Sequence, residues 1–125
     1  MWGFVRAGLE DLLAKYHDRW IPEDVYFEIR SGAAALFMID VDEEQKGFTV
    51  LKNFNDVDGL ALFIWTLWAE PNTMKEEGRY EQVLFEMEKI AKGMGAKRIR
   101  HYSPRGGWTV KGLFELKMHI YEREI

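Results

Sequence analysis

The side chains that most often carry chemistry are sparse in this chain. His17, His101 and His119 are its three imidazoles, and they are too scattered for an H-x-x-x-H or similar ligand spacing. With no Cys to complete a site, a metal centre is not expected. The same lack removes disulfide frameworks, iron–sulfur clusters and thiol nucleophiles, and is compatible with a reducing compartment. No Ser sits in a G-x-S-x-G elbow, so a hydrolase triad has no anchor, and Ser103 reads as a turn or cap residue. The G-x-x-x-x-G-K-[S/T] phosphate loop is also absent.

One cluster of cations stands out: Lys97, Arg98, Arg100, Arg105 and Lys111, interleaved with His101, Tyr102 and Trp108. Single-stranded nucleic-acid binders mix charge and rings in this way, and so does the solvent-facing edge of a sheet. Strand alternation puts Arg98 and Arg100 on one side and Ile99 and His101 on the other, so only part of the cluster converges. Seventeen Lys plus Arg against 21 Asp plus Glu give a net charge of −4, which leaves no domain-wide footprint for nucleic acid. Nucleic acid is not expected as a partner.

The 125 residues correspond to one domain, and a 47% hydrophobic fraction is enough for a core. The N-terminal stretch lacks a basic region followed by a long apolar run and a cleavage site, so the protein is expected to stay in the cytoplasm where it is made. Its longest apolar runs, 33–39 and 60–69, are about half the roughly 20 residues of a membrane-spanning helix. No repeat, low-complexity tract or linker suggests a second domain, so residues 1–125 are expected to form one unit.

Periodicity predicts the elements that must position any site. Trp2, Val5, Leu9, Leu12, Leu13, Tyr16 and Trp20 fall on one helical face, giving a first helix that ends before Pro22. Val25, Phe27 and Ile29 alternate with Tyr26, Glu28 and Arg30, which predicts a half-buried strand ending at Ser31-Gly32. Strands follow at 34–41 and 48–54, joined by the polar connection 42–47. After the turn cluster 55–59 comes the most continuously apolar strand, 60–68, expected to be central. Residues 78–94 carry a clean apolar helical face with Gly93 and Gly95 as the stop. Short strands are predicted at 97–102 and 116–121. Aromatic residues make up 14% of the chain, and each ring can bury about 150–250 Å². Trp65, Tyr80, Phe85 and Phe27 are expected in the core, while Trp2, Phe4, Trp20 and Trp108 are candidates for a partner surface.

This order, with the strand–helix–strand unit at 60–102, resembles the GNAT-type N-acetyltransferase fold. Two stretches carry the resemblance locally. Ile90-Ala91-Lys92-Gly93-Met94-Gly95-Ala96-Lys97-Arg98-Ile99 looks like the family's step from helix to strand, and His101-Tyr102-Ser103-Pro104-Arg105-Gly106-Gly107-Trp108 resembles an S-x-R-x-G-W stretch of small bacteriophage GNAT-like proteins. The closing Tyr121-Glu122-Arg123-Glu124 looks like their last strand. The resemblance implies an α/β (α+β) fold, a mixed and mostly antiparallel sheet flanked by an N-terminal helix and one principal helix.

The resemblance also implies acetyl-coenzyme A as acyl donor and an amine as acceptor. A helix N-terminus suits the coenzyme's pyrophosphate, and the family marks that loop Q/R-x-x-G-x-G/A. The matching residues are Lys75, Gly78, Arg79 and Tyr80: a cation and the first glycine are kept, but Tyr80 replaces a small residue, and Glu76 and Glu77 stand nearby. Two acidic residues also simply favour a helix start. Acyl transfer needs a base, an oxyanion donor and an acid. Glu70 resembles the family's base, a backbone N–H near Trp68 or Ala69 its oxyanion donor, and Tyr102 or Tyr121 its acid. Ordinary structural roles stay open for each: an exposed loop Glu and strand aromatics. The expected function is an acetyl-coenzyme-A-dependent N-acyltransferase. The alternative is a non-catalytic GNAT-fold phage protein acting as a virion component, a host-protein binder or a homo-oligomer.

Overall fold

The computed structural model describes residues 1–16, 18–57, 59–75, 78–101 and 123. Helices α1 (Trp2–Tyr16) and α2 (Pro22–Ser31) precede strands β1 (Ala34–Val41), β2 (Glu44–Asp56) and β3 (Gly59–Ala69). A single 3-10 turn (Thr73–Lys75), helix α3 (Arg79–Gly93) and strand β4 (Arg98–His101) follow. The sheet runs β1-β2-β3-β4. Its first two pairings are antiparallel and the third is parallel, because the return through α3 reverses the chain a second time. This is the mixed, mostly antiparallel sheet that the resemblance implies.

Residues 25–29 form helix, not the expected strand. Pro22 opens α2 with its fixed φ and no wasted donor, and the Asp24 carboxylate accepts the Ile21 N–H at 3.0 Å. Gly32 closes the helix in the left-handed region at φ 86°. Within the helix, Val25 and Ile29 are one turn apart and face the core, while Phe27 stands 70% exposed. The alternation of Val25, Phe27 and Ile29 was therefore three residues of a helix, only two of which share a face. Two N-terminal helices, rather than one, flank the sheet.

Other boundaries move less. Helix α1 stops at Tyr16, short of the expected Trp20. The connection between β1 and β2 shrinks to Asp42 and Glu43, both at positive φ (53° and 67°), which is the two-residue turn that suits the twist of a hairpin.

Each face of the sheet carries its own apolar cluster. On one, Phe48 and Val50 of β2 pack with Val5 and Leu9 of α1 and Val25 of α2. On the other, Leu51 of β2 and Leu62, Ile64 and Leu67 of β3 pack with Met87 and Ala91 of α3. Strand β3 serves both clusters, which is why its sequence shows no polar alternation. Phe85, expected in the core, is 56% exposed on the outer side of α3. Trp2, Phe4 and Trp20 are not a free surface: all three pack half-buried on the α1–α2 cluster. Trp108 and the predicted strand 116–121 lie outside the described residues.

Candidate functional site

The site begins with a break in β3. Its pairing with β2 steps from Leu51↔Ile64 to Val50↔Thr66, leaving Trp65 as an extra residue. Below that bulge the described residues of β4 pair in parallel with Ala61 to Ile64. Among the described residues, therefore, no strand covers the outer edge of β3 from Trp65 to Ala69. The Glu70 N–H donates to the Lys46 carbonyl on β2 at 2.7 Å. Antiparallel amides alternate between edges, so the Trp68 N–H faces β2, and those of Ala69 and Leu67 face the opposite edge.

A cleft of about 660 Å³ opens at this end of β3, bounded by Leu67, Ala69, Glu70, Lys75 and Tyr80. Four of the residues singled out from the sequence thus meet in one place: Ala69, Glu70, Lys75 and Tyr80. Met74 separates this cleft from a groove of about 1060 Å³ between β1 and α3, where Gly78 and Arg79 lie. Gly78 sets α3's first turn from the left-handed region at φ 83°, with open space around its α-carbon. The Arg79 guanidinium donates to the Thr73 carbonyl at 3.0 Å, tying the helix start to the 3-10 turn. Trp68 points the other way. Its indole stacks on Phe48, with ring centroids 5.7 Å apart, and its Nε1–H donates to the Asp11 carboxylate of α1 at 2.9 Å. Tyr102 and Tyr121 lie outside the described residues.

The charges around Glu70 come mostly from β2. Lys46 Nζ is 3.4 Å from Glu70 Oε2 and 3.0 Å from Glu44 Oε2. The Glu44 hydrogen bond, then the charges of Glu44 and Glu70, hold the Lys46 ammonium above the usual lysine range. Asp11 is displaced the opposite way: the Trp68 indole, then Lys15, hold its carboxyl below the usual aspartate range. Among the described residues no three His, Asp or Glu side chains gather as a metal ion would need. No helix among them is long and apolar enough to cross a membrane.

Sequence reasoning passed over Lys46, Asp11, Gly8 and Gly47. Only the glycines left a trace. Gly47 lies against the Trp68 carbonyl and the Ala69 backbone, where any Cβ would force β2 and β3 apart. Gly8, in mid-helix, lies on the Phe48 and Trp68 rings. A glycine inside a helix or strand pattern signals such close approach.

No protein-family model matches the chain, and no curated protein is similar to it in sequence. Solved structures do resemble it in shape. A Clostridium acetobutylicum protein described as a predicted acetyltransferase and solved with acetyl-CoA superimposes with a TM-score of 0.71 at 10% identity, covering 98% of this chain and 88% of that one. The ribosomal-protein-alanine N-acetyltransferase of Brucella melitensis biovar Abortus 2308 gives 0.66 at 14% identity, covering 94% and 87%. A GNAT family acetyltransferase of Staphylococcus aureus subsp. aureus USA300_TCH1516 gives 0.65 at 12%, covering 94% and 85%. At such identities the likeness is one of architecture, and what it establishes is that this chain has the fold of the GNAT acetyltransferases.

Proposed function

We propose that this protein is an acyl-coenzyme-A-dependent N-acyltransferase working in the cleft at the end of β3. The observation that carries the reading is the cleft at the end of β3, which gathers Ala69, Glu70 and Lys75. Acetyl-coenzyme A, when bound, supplies an acyl group activated as a thioester, which passes to an amine nitrogen as the carbon–sulfur bond breaks. The start of α3 suits its phosphates, because Gly78 brings no side chain to the helix N-terminus and Lys75 adds a cation. Glu70 takes the amine proton onto its carboxylate, directly or through one water. The Ala69 N–H, on the edge away from β2, donates to the carbonyl oxygen as it gains charge. Tyr102 or Tyr121, from the resemblance, returns a proton to the sulfur.

A calorimetric titration with acetyl-coenzyme A tests binding, and release of free thiol in the presence of an alanyl peptide or neamine tests transfer. Saturable binding is expected, with Glu70→Gln slowing transfer by about 100-fold or more. No heat at millimolar ligand overturns the reading. A second reading is favoured by Tyr80, whose ring borders the cleft where a small residue would let a phosphate approach. Under it the chain is a non-catalytic GNAT-fold phage protein, assembled in a virion or bound to a host protein, and folded protein shows no coenzyme affinity.

A further inference from the structure

We propose that Lys46 is a positioning residue that aims the Glu70 carboxylate into the cleft; this rests on the reading of Glu70 as the proton acceptor. Lys46 grips its partner twice. Its carbonyl takes the Glu70 N–H at 2.7 Å, and its ammonium stands 3.4 Å from the Glu70 carboxylate. That double reach depends on an irregularity in β2. Against β1 the register passes from Ile39↔Gly47 to Asp40↔Gln45, so Lys46 is an extra residue there, and on the other side Gly47 lets the β2 and β3 backbones close beside it.

The ammonium is shared. Glu44, itself 70% exposed, holds it at 3.0 Å from the solvent side, while the Glu70 side chain is 40% exposed. Among the described residues the other ionisable groups bordering the cleft are Lys75 on the 3-10 turn and Tyr80 on α3. Lys46, held by two carboxylates, is thus a strut from β2, and Glu70 leans on its inner end. Removing the strut leaves the backbone hydrogen bond in place and frees the carboxylate to swing toward solvent.

The test combines structure with a double-mutant cycle on the full chain. Crystal structures of the parent, Lys46→Met and Lys46→Arg proteins are compared at Glu70. The carboxylate is expected to leave the cleft in Lys46→Met and to keep its place in Lys46→Arg. In thiol-release kinetics with acetyl-coenzyme A and an alanyl peptide or neamine, Lys46→Met should lower kcat about tenfold, short of the roughly 100-fold that a 1 Å misplacement can cost. KM for acetyl-coenzyme A should hold, and Lys46→Arg should recover most of the loss. In the Glu70→Gln background Lys46→Met should cost nothing more, because Lys46 acts through Glu70. An unmoved carboxylate in Lys46→Met, or a loss that adds in full to that of Glu70→Gln, overturns the role of Lys46 alone. Full activity of Glu70→Gln overturns the reading beneath it.

Discussion

Replacing Gly8 by Ala puts one methyl group into the tightest contact between α1 and the sheet. The added carbon would stand 2.8 Å from two atoms of the Trp68 ring and closer still to Phe48 Cε1. Carbon atoms settle at roughly 3.5–4.0 Å, so α1 must lift by most of an ångström or two rings must shift. Neither yields easily, since Phe48 is fully buried and Trp68 is held by Asp11 one turn further along the same helix. Overpacking of this kind costs about 1–3 kcal/mol, and two buried rings place Gly8 near the upper end. Ala also favours a helix over Gly by about 1 kcal/mol, which offsets part of the cost. The net loss comes to about 2 kcal/mol, or roughly 6–12 °C in melting temperature for a domain of this size. Gly3→Ala separates the two effects, because Gly3 is on the same helix with nothing within 4 Å of an added Cβ. It should raise the melting temperature slightly. Thermal unfolding of the three proteins by circular dichroism measures both, and a Gly8→Ala protein that melts at or above the parent refutes the packing argument.

Two further perturbations test other joints. Asp11 is held below the usual aspartate range by the Trp68 indole and then by Lys15, so its stabilising contribution is full above its unfolded value and lost as pH falls through the folded one. Asp11→Asn should therefore flatten the fall in melting temperature between about pH 5 and about pH 2; parallel curves for the two proteins would sink this reading. Lys52 joins α2 to β2, with its ammonium 2.6 Å from Glu28 and 4.5 Å above the Trp65 ring. Lys52→Ala should cost about 1 kcal/mol in urea unfolding, and an unchanged midpoint would show the contact to be idle.

Legibility in the sequence followed how local the cause was. Helix α3 was readable because its apolar face, its glycine stop and its acidic and basic flanks all lie within one window of sequence. Helix α2 was not, because three apolar residues at every second position outweighed Pro22, Asp24 and Gly32, the capping residues that decide the local backbone. The rings at Trp2, Phe4 and Trp20 were misplaced for a related reason. Positions near a terminus or a loop read as surface, yet two helices share the first face of the sheet and close over them. At the site, Ala69, Glu70, Lys75 and Tyr80 are near neighbours in the chain, and a single turn after β3 brings them together. Lys46 had no such signal, since it reaches Glu70 only through strand register.

The bulge itself was hidden by the feature that makes β3 central. Leu62 and Ile64 face α3, and an unbroken strand would put Leu67 on the opposite face. Leu67 nevertheless packs with them, while Trp65 and Trp68 both lie with the α1–α2 cluster. The phase of the alternation has slipped by one between Ile64 and Leu67, where Trp65 is left out of the pairing. In a strand with a polar face such a slip would show as a polar residue out of step. In Leu60 to Trp68 both faces are apolar but for Thr66, so the slip leaves no mark in composition or hydropathy. Burying both faces thus stabilises the strand and conceals its break. What the slip does set is the facing of the last residues of β3: past Trp65, Leu67 turns to the α3 side and, with Ala69, borders the opening in which Glu70 and Lys75 stand.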